Sequence, residues 1–290
     1  SGMTYWYPGV RFAIKLLRRR FKGAAVLLGG IYATLCRRHA SMTSGADVVW
    51  KGPYLEKRCF SEAGFYPAYD LLLEKNILPI QLTRGCPFRC SYCASGVLCP
   101  RFEMKDPLKL FEEVMRYNAV FGTTAFVFYD DALTYRSSKG IKKFLRMVIA
   151  SGRGLTFHTP NGLHAKYIDE ELAELLKKAN FRDLRLSLET SDEDLQEFTG
   201  GKVTNNDLKK ALRNLKEAGF DKHDLGVYLL VGAEWLDIRK TMRDILFINS
   251  LGAKAVLASY SPIPGTMAVS YTHLRAHETS LHLVCRLLLE

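Results

Sequence analysis

The sequence has no apolar run long enough to span a bilayer, and no secretory leader opens it. Those absences point away from membrane insertion and secretion, and the expected location is cytoplasmic. It also lacks the evenly spread, even-numbered cysteines of a secreted disulfide framework. There are seven, and three crowd into one short segment. That pattern points to a reducing compartment and a metal site. Acidic residues are the scarcer charge, 30 against 41 basic ones, for a net charge of +11. The excess is scattered over helix faces. Its one dense run, Arg18, Arg19 and Arg20 with Lys22, closes a helical pattern, where cations suit the helix dipole. The charge is therefore not read as a nucleic-acid surface. At 290 residues and 48% apolar, the chain can bury one large or two small cores.

Residues 3–7 read as the end of a buried strand, with Pro8 and Gly9 as the turn after it. Helical spacing follows over 10–20, then short apolar strands at 24–28 and 46–49 flank a helix at 33–40. Strand–helix–strand without hairpin signals implies a parallel, doubly wound piece, the second half of a Rossmann-like domain spanning 1–52. Residues 53–76 have no clear period and read as a linker lying across the next domain.

From residue 77 a second alternation begins, covering 77–268. Strands are expected at 77–83, 125–128, 155–158, 184–188, 225–231 and 254–259. Between them lie helices capped by Asp106 before Pro107, by Asp169, and by a Thr204/Asp207 box. This is a partial (βα)6 barrel, with active groups on the loops after its strands. Residues 269–290 show no barrel pattern. They resemble one reading frame of a sequencing-library transposon adapter and its flanking primer site, and are left out of the fold reading.

The chemistry is carried by Cys86-Pro-Phe-Arg-Cys90-Ser-Tyr-Cys93, a CxxxCxxC directly after a strand. Three thiolates can hold three irons of a cubane and leave the fourth open. A structural zinc site would need a fourth ligand and usually shows paired CxxC spacing; Cys99 could supply that ligand. The other strand ends carry polar groups. Asp130 and Asp131 follow the second strand, where a carboxylate suits an ammonium and a helix cap is the alternative. His158, Asn161 and His164 follow the third. Arg185, Ser187 and Glu189 alternate along the fourth, toward the barrel interior, and could instead form a buried Arg–Glu pair.

With its aromatic Tyr92 before the third cysteine, the motif resembles the radical S-adenosylmethionine (SAM) superfamily, and the resemblance covers about residues 77–266. It implies a [4Fe–4S] cluster on Cys86, Cys90 and Cys93, with SAM on the open iron. It further implies SAM contacts from Tyr92, Asp130, Asp131, His158, Asn161, Arg185, Ser187 and Glu189, and from Gly232 in the fifth-strand segment 226–232. A low-potential donor of flavodoxin or ferredoxin type is the implied partner. Gly29 and Gly30 after a buried strand, with Gly45 and Asp47 further on, resemble the second half of a cobalamin-binding domain. The alternatives are a tRNA methylthiotransferase-like enzyme, which should carry a second cluster and an RNA-binding domain, and a non-catalytic metal sensor module.

Overall fold

The computed structural model describes residues 6–52 and 66–271. The chain divides into two compact units. One comprises Ser1–Cys59, Ser91–Pro100 and Ser261–Glu290, and the other Phe60–Cys90 and Arg101–Tyr260.

The first unit opens with helix Tyr7–Arg20. The strand expected at 3–7 is corrected at Tyr7, which is already helical, while residues 1–5 lie outside the described residues. Pro8 does not turn the chain. It sits in the first helical turn, where its missing N–H costs nothing. Strands β1 (Leu27–Leu28) and β2 (Val48–Val49) pair in parallel, Leu27 opposite Val48. The helix expected at 33–40 is two, Ile31–Leu35 and Arg37–Thr43, because Cys36 leaves the helical region at φ −122° and ψ 44°. Leu28, Tyr32, Ala33, Cys36 and Ala40 form the core of this parallel α/β piece.

Two segments read from sequence as barrel group with this unit instead. Helix Ser95–Leu98 packs on Ile31–Leu35, and the Ala268 N–H donates to the Ser91 carbonyl at 2.9 Å. Residues 267–271 are helical, and the remainder of the tail, 272–290, lies outside the described residues.

The second unit is the barrel. Strand β3 (Ile77–Ile80) pairs in parallel with β6 (Ala125–Phe128), which pairs with β7 (Thr156–His158), which pairs with β9 (Phe181–Arg182). A second parallel sheet runs β8 (Leu163–His164), β10 (Leu184–Glu189), β11 (Leu225–Val231), β12 (Lys254–Ser259). The six expected strands are all present, the first only as far as Ile80, and two short strands that were not expected, β8 and β9, stand beside the third and fourth. Asp183, at φ +49°, breaks β9 from β10. The third-to-fourth pairing is thus handed from β7·β9 to β8·β10, and the strands form two sheets of four.

Helices Pro107–Phe121, Ile141–Ser151, Glu170–Lys178, Asn205–Glu217 and Ile238–Ser250 lie between successive strands. Three of these starts are the capped ones expected: Asp106 and Asp169 accept from backbone N–H groups, and Thr204 and Asp207 form the reciprocal box. Asp237, not singled out from sequence, caps the last helix in the same way. The core is rich in ring contacts: Phe126, Phe128, Phe157 and Phe181 stack, Phe144 meets Phe128 and Phe157 edge-on, and all are buried. On β10, Leu184, Leu186 and Leu188 fill the core, which turns the alternate positions to the other face. Residues 53–65 of the expected linker lie outside the described residues. Beyond them, the Tyr69 hydroxyl donates to the Pro79 carbonyl at 2.5 Å and its ring packs on Tyr117. Among the described residues no helix is long and apolar enough to cross a membrane.

Candidate functional site

The cysteine segment hangs from a narrow neck. After β3 the chain forms β4 (Thr83–Arg84), which pairs antiparallel with β5 (Glu103–Met104). The Lys105 N–H also donates to the Leu82 carbonyl at 2.8 Å. The expected strand 77–83 is thus interrupted after Ile80, and residues 85–102 form a loop with adjacent ends.

Asp130 fastens that neck. Its carboxylate accepts from the Leu82 N–H at 3.1 Å, from the Thr83 hydroxyl at 2.7 Å, and from the Thr83 N–H. The side chain is only 4% exposed. Burial pushes its pKa up to about 7 against the pull of those bonds. Asp130, expected at the amino group of SAM, thus holds the chain that enters the cysteine loop, mostly through one of its two oxygens. Asp131 is half-buried. It caps no helix, because residues 131–140 form turns and the next helix is capped at Gly140. The Asn161 amide donates to the Asp130 carbonyl at 3.3 Å, which ties the loop after β7 to the same corner.

Cys86 and Cys90 belong to the barrel unit, and Cys93 to the first unit with Tyr92. All three are half-buried thiols, as is Cys99, and none is in a disulfide. The Cys93 sulfur lies 3.4 Å from the Ser95 N–H and 3.3 Å from its hydroxyl. Among the described residues no three metal-ligating side chains are already grouped as an ion site. What suits an iron–sulfur cluster here is the donor chemistry: soft, unoxidised thiols on a loop, with N–H and O–H groups near their sulfurs.

His164 approaches Cys86. Its Nε2 is 3.9 Å from the sulfur, and its ring stacks on Phe88 at 4.9 Å between centroids. The imidazole is buried, and its pKa is pushed down to about 3, first by burial and then by the nearby Lys202 charge. Gly200 lies against the loop as well: a Cβ there would come within 3.1 Å of the Arg89 carbonyl oxygen and of Cys90 Cα.

On β10 the polar residues alternate with buried leucines as far as the irregularity at Glu189. Arg185 is half-buried and lies across Gly226, its partner on β11, where a Cβ would meet the guanidinium at 2.7 Å. Ser187 is buried beside Gly162, where a Cβ would meet its hydroxyl at 2.2 Å. At Glu189 the strand bulges, with φ +72°. The buried Arg–Glu pair is corrected: Glu189 pairs with Lys202 at 2.6 Å, both side chains 13% exposed. Lys202, Thr83 and Gly162 were not singled out from sequence. Lys202 had a signal in the Gly200-Gly201-Lys202 turn after a helix, whereas the roles of Thr83 and Gly162 depend on contacts distant in sequence.

His158 ends β7 opposite Val127 and Arg182. Gly232 follows β11 at φ +77°. In the first unit, Gly30 adopts φ 92° and ψ −162°, a conformation few other residues take, and a Cβ on Gly29 would meet nothing within 4 Å.

The fold is that of a parallel α/β barrel segment with a cysteine loop after its first strand, the architecture of enzymes that seat cofactors on strand ends. The family model for the radical SAM superfamily matches residues 80–245, and the chain belongs to that superfamily of enzymes. An anaerobic magnesium-protoporphyrin IX monomethyl ester cyclase from Cereibacter sphaeroides is 28% identical over 141 residues, 47% of this chain and 22% of the relative. An uncharacterised methyltransferase from Synechocystis is 30% identical over 161 residues, 53% of this chain and 30% of the relative. The chain spans about a third or less of the length of these curated relatives. Among solved structures, the radical SAM methyltransferase TsrM from Kitasatospora setae aligns over 91% of this chain and 61% of its own, with a TM-score of 0.67 and 17% identity. The cobalamin-dependent radical enzyme OxsB aligns over 70% of this chain and 36% of its own, with a TM-score of 0.55 and 13% identity.

Proposed function

We propose that this chain is the core of a radical SAM enzyme of the cobalamin-domain type, with Cys86, Cys90 and Cys93 as the ligands of a [4Fe–4S] cluster. The observation that carries the reading is the CxxxCxxC loop, held at the end of the first strand of a parallel barrel by β4, β5 and Asp130. Cys86, Cys90 and Cys93 would hold the cluster, and the chemistry it would supply is one-electron reductive cleavage of SAM to methionine and a 5′-deoxyadenosyl radical. The protein's part is to place and enclose the reactants. His158, Asn161 and the Glu189–Lys202 pair sit at or after the C-terminal ends of their strands, Ser187 and Arg185 lie further back along β10, and all are assigned to SAM. Lys202 and Glu189 offer opposite charges suited to the carboxylate and ammonium of its methionine.

The first unit supports the cobalamin part. It is a parallel strand pair with a glycine turn, and the TsrM and OxsB structures are described as cobalamin-bound. The substrate is left unassigned. Ring formation and methyl transfer are the two reaction classes that the named relatives suggest. A cytoplasmic setting with a flavodoxin- or ferredoxin-type donor accords with the thiol chemistry.

Anaerobic reconstitution tests the reading. The chain should bind about four irons with cluster absorption, and after dithionite reduction it should release 5′-deoxyadenosine from SAM. Cys86→Ala, Cys90→Ala or Cys93→Ala should abolish both. Loss of the cluster in Cys99→Ala, with the other three intact, would overturn the three-ligand assignment.

A further inference from the structure

We infer that His164 donates an Nε2–H hydrogen bond to the sulfur of Cys86 and thereby raises the reduction potential of the cluster; the inference rests on the cluster assignment above. His164 sits on β8, paired through its neighbour Leu163 with Leu186 and itself with Ser187. Its carbonyl accepts from the buried Thr134 hydroxyl at 3.2 Å, so the backbone is held. The ring has little freedom either: it is buried, and Phe88 from the cysteine loop stacks on one face, 24° from parallel. These contacts aim Nε2 at the Cys86 sulfur, 3.9 Å away.

The proton is placed by elimination. The other ring nitrogen, Nδ1, is buried and has no hydrogen-bond partner among the described residues. A neutral imidazole carries one N–H, and a buried N–H without an acceptor is costlier and rarer than a buried lone pair without a donor. The N–H therefore belongs on Nε2, where the sulfur is the acceptor. A thiolate that accepts a hydrogen bond is less electron-rich. The added negative charge of the reduced cluster is then better tolerated, and the potential rises. Phe88 completes the device, since its ring keeps the imidazole turned toward the cysteine. His164 is thus a positioning and tuning residue, set outside the ligand set itself.

The test uses the reconstituted full chain. Redox titration followed by the EPR signal of the reduced cluster should give a more negative midpoint in His164→Leu than in wild type, at equal iron content. His164→Gln, which restores an N–H donor of similar reach, should recover part of the shift. Should the Leu variant fail to hold iron, a second measurement on unmutated protein decides. Pulsed EPR of the reduced cluster in chain labelled with 15N-histidine should show a nitrogen coupling that persists in His158→Leu. An unshifted midpoint in an iron-replete Leu variant, or no histidine coupling in the labelled protein, would overturn the inference. A wild-type chain that builds no cluster would instead overturn the functional assignment beneath it.

Discussion

Asp130 shows how surroundings alter one residue's chemistry. Its carboxylate is buried and accepts from Leu82 and Thr83. Its ordinary pKa of 3.8 rises to about 7 in the folded chain, chiefly through burial. Between those values the folded state binds more protons than the unfolded state, so stability falls as pH rises from about 4 to about 7 and then levels. Asp130→Asn removes that titration. Urea midpoints measured across this window should show the wild type losing stability relative to the variant, at up to about 1.4 kcal/mol per pH unit. A difference independent of pH would mean that the carboxyl does not titrate there. The same variant should also loosen the neck of the cysteine loop, which amide exchange at residues 82 and 83 would register.

At the scale of elements, glycines leave room for side chains of β10, Gly162 for Ser187 and Gly226 for Arg185. Gly162→Ala would drive a methyl into the Ser187 hydroxyl and within 3.2 Å of the Ser187 N. Overpacking of this kind costs roughly 1–3 kcal/mol, and a thermal melt of the variant should show it; an unchanged melting temperature would mean that β8 and β10 have slack. Much of the element pattern was legible beforehand. Strands 125–128, 225–231 and 254–259 stand where alternation and apolar runs placed them, and the caps at Asp106, Asp169 and Thr204 are local signals that need no tertiary context. What was not legible depends on distance or on backbone conformation. The break at Asp183 is a positive φ in a non-glycine residue. The Asp130–Thr83 bond spans 47 positions. The partner of Glu189 is a lysine from the following turn, where reading along the strand suggested Arg185. The helical start at Tyr7 was hidden because a proline serves a helix's first turn as readily as it serves a bend.

For the molecule as a whole, the neck formed by β4 and β5 separates the scaffold from the reagent it carries. Thr83 faces Met104 and Arg84 faces Glu103, so the intervening chain leaves and returns at one point. Replacing residues 85–102 with an Asn-Gly turn should therefore leave the barrel unit a cooperative folder while abolishing iron binding. The shorter closure would lower the entropic cost by about 2 kcal/mol. Circular dichroism melting would check this, and a chain that no longer melted cooperatively would show that the loop belongs to the framework. If the barrel survives, the cysteine loop behaves as a cartridge. Different loops could be fitted to one unchanged socket, and a lineage could alter its chemistry without re-solving its fold.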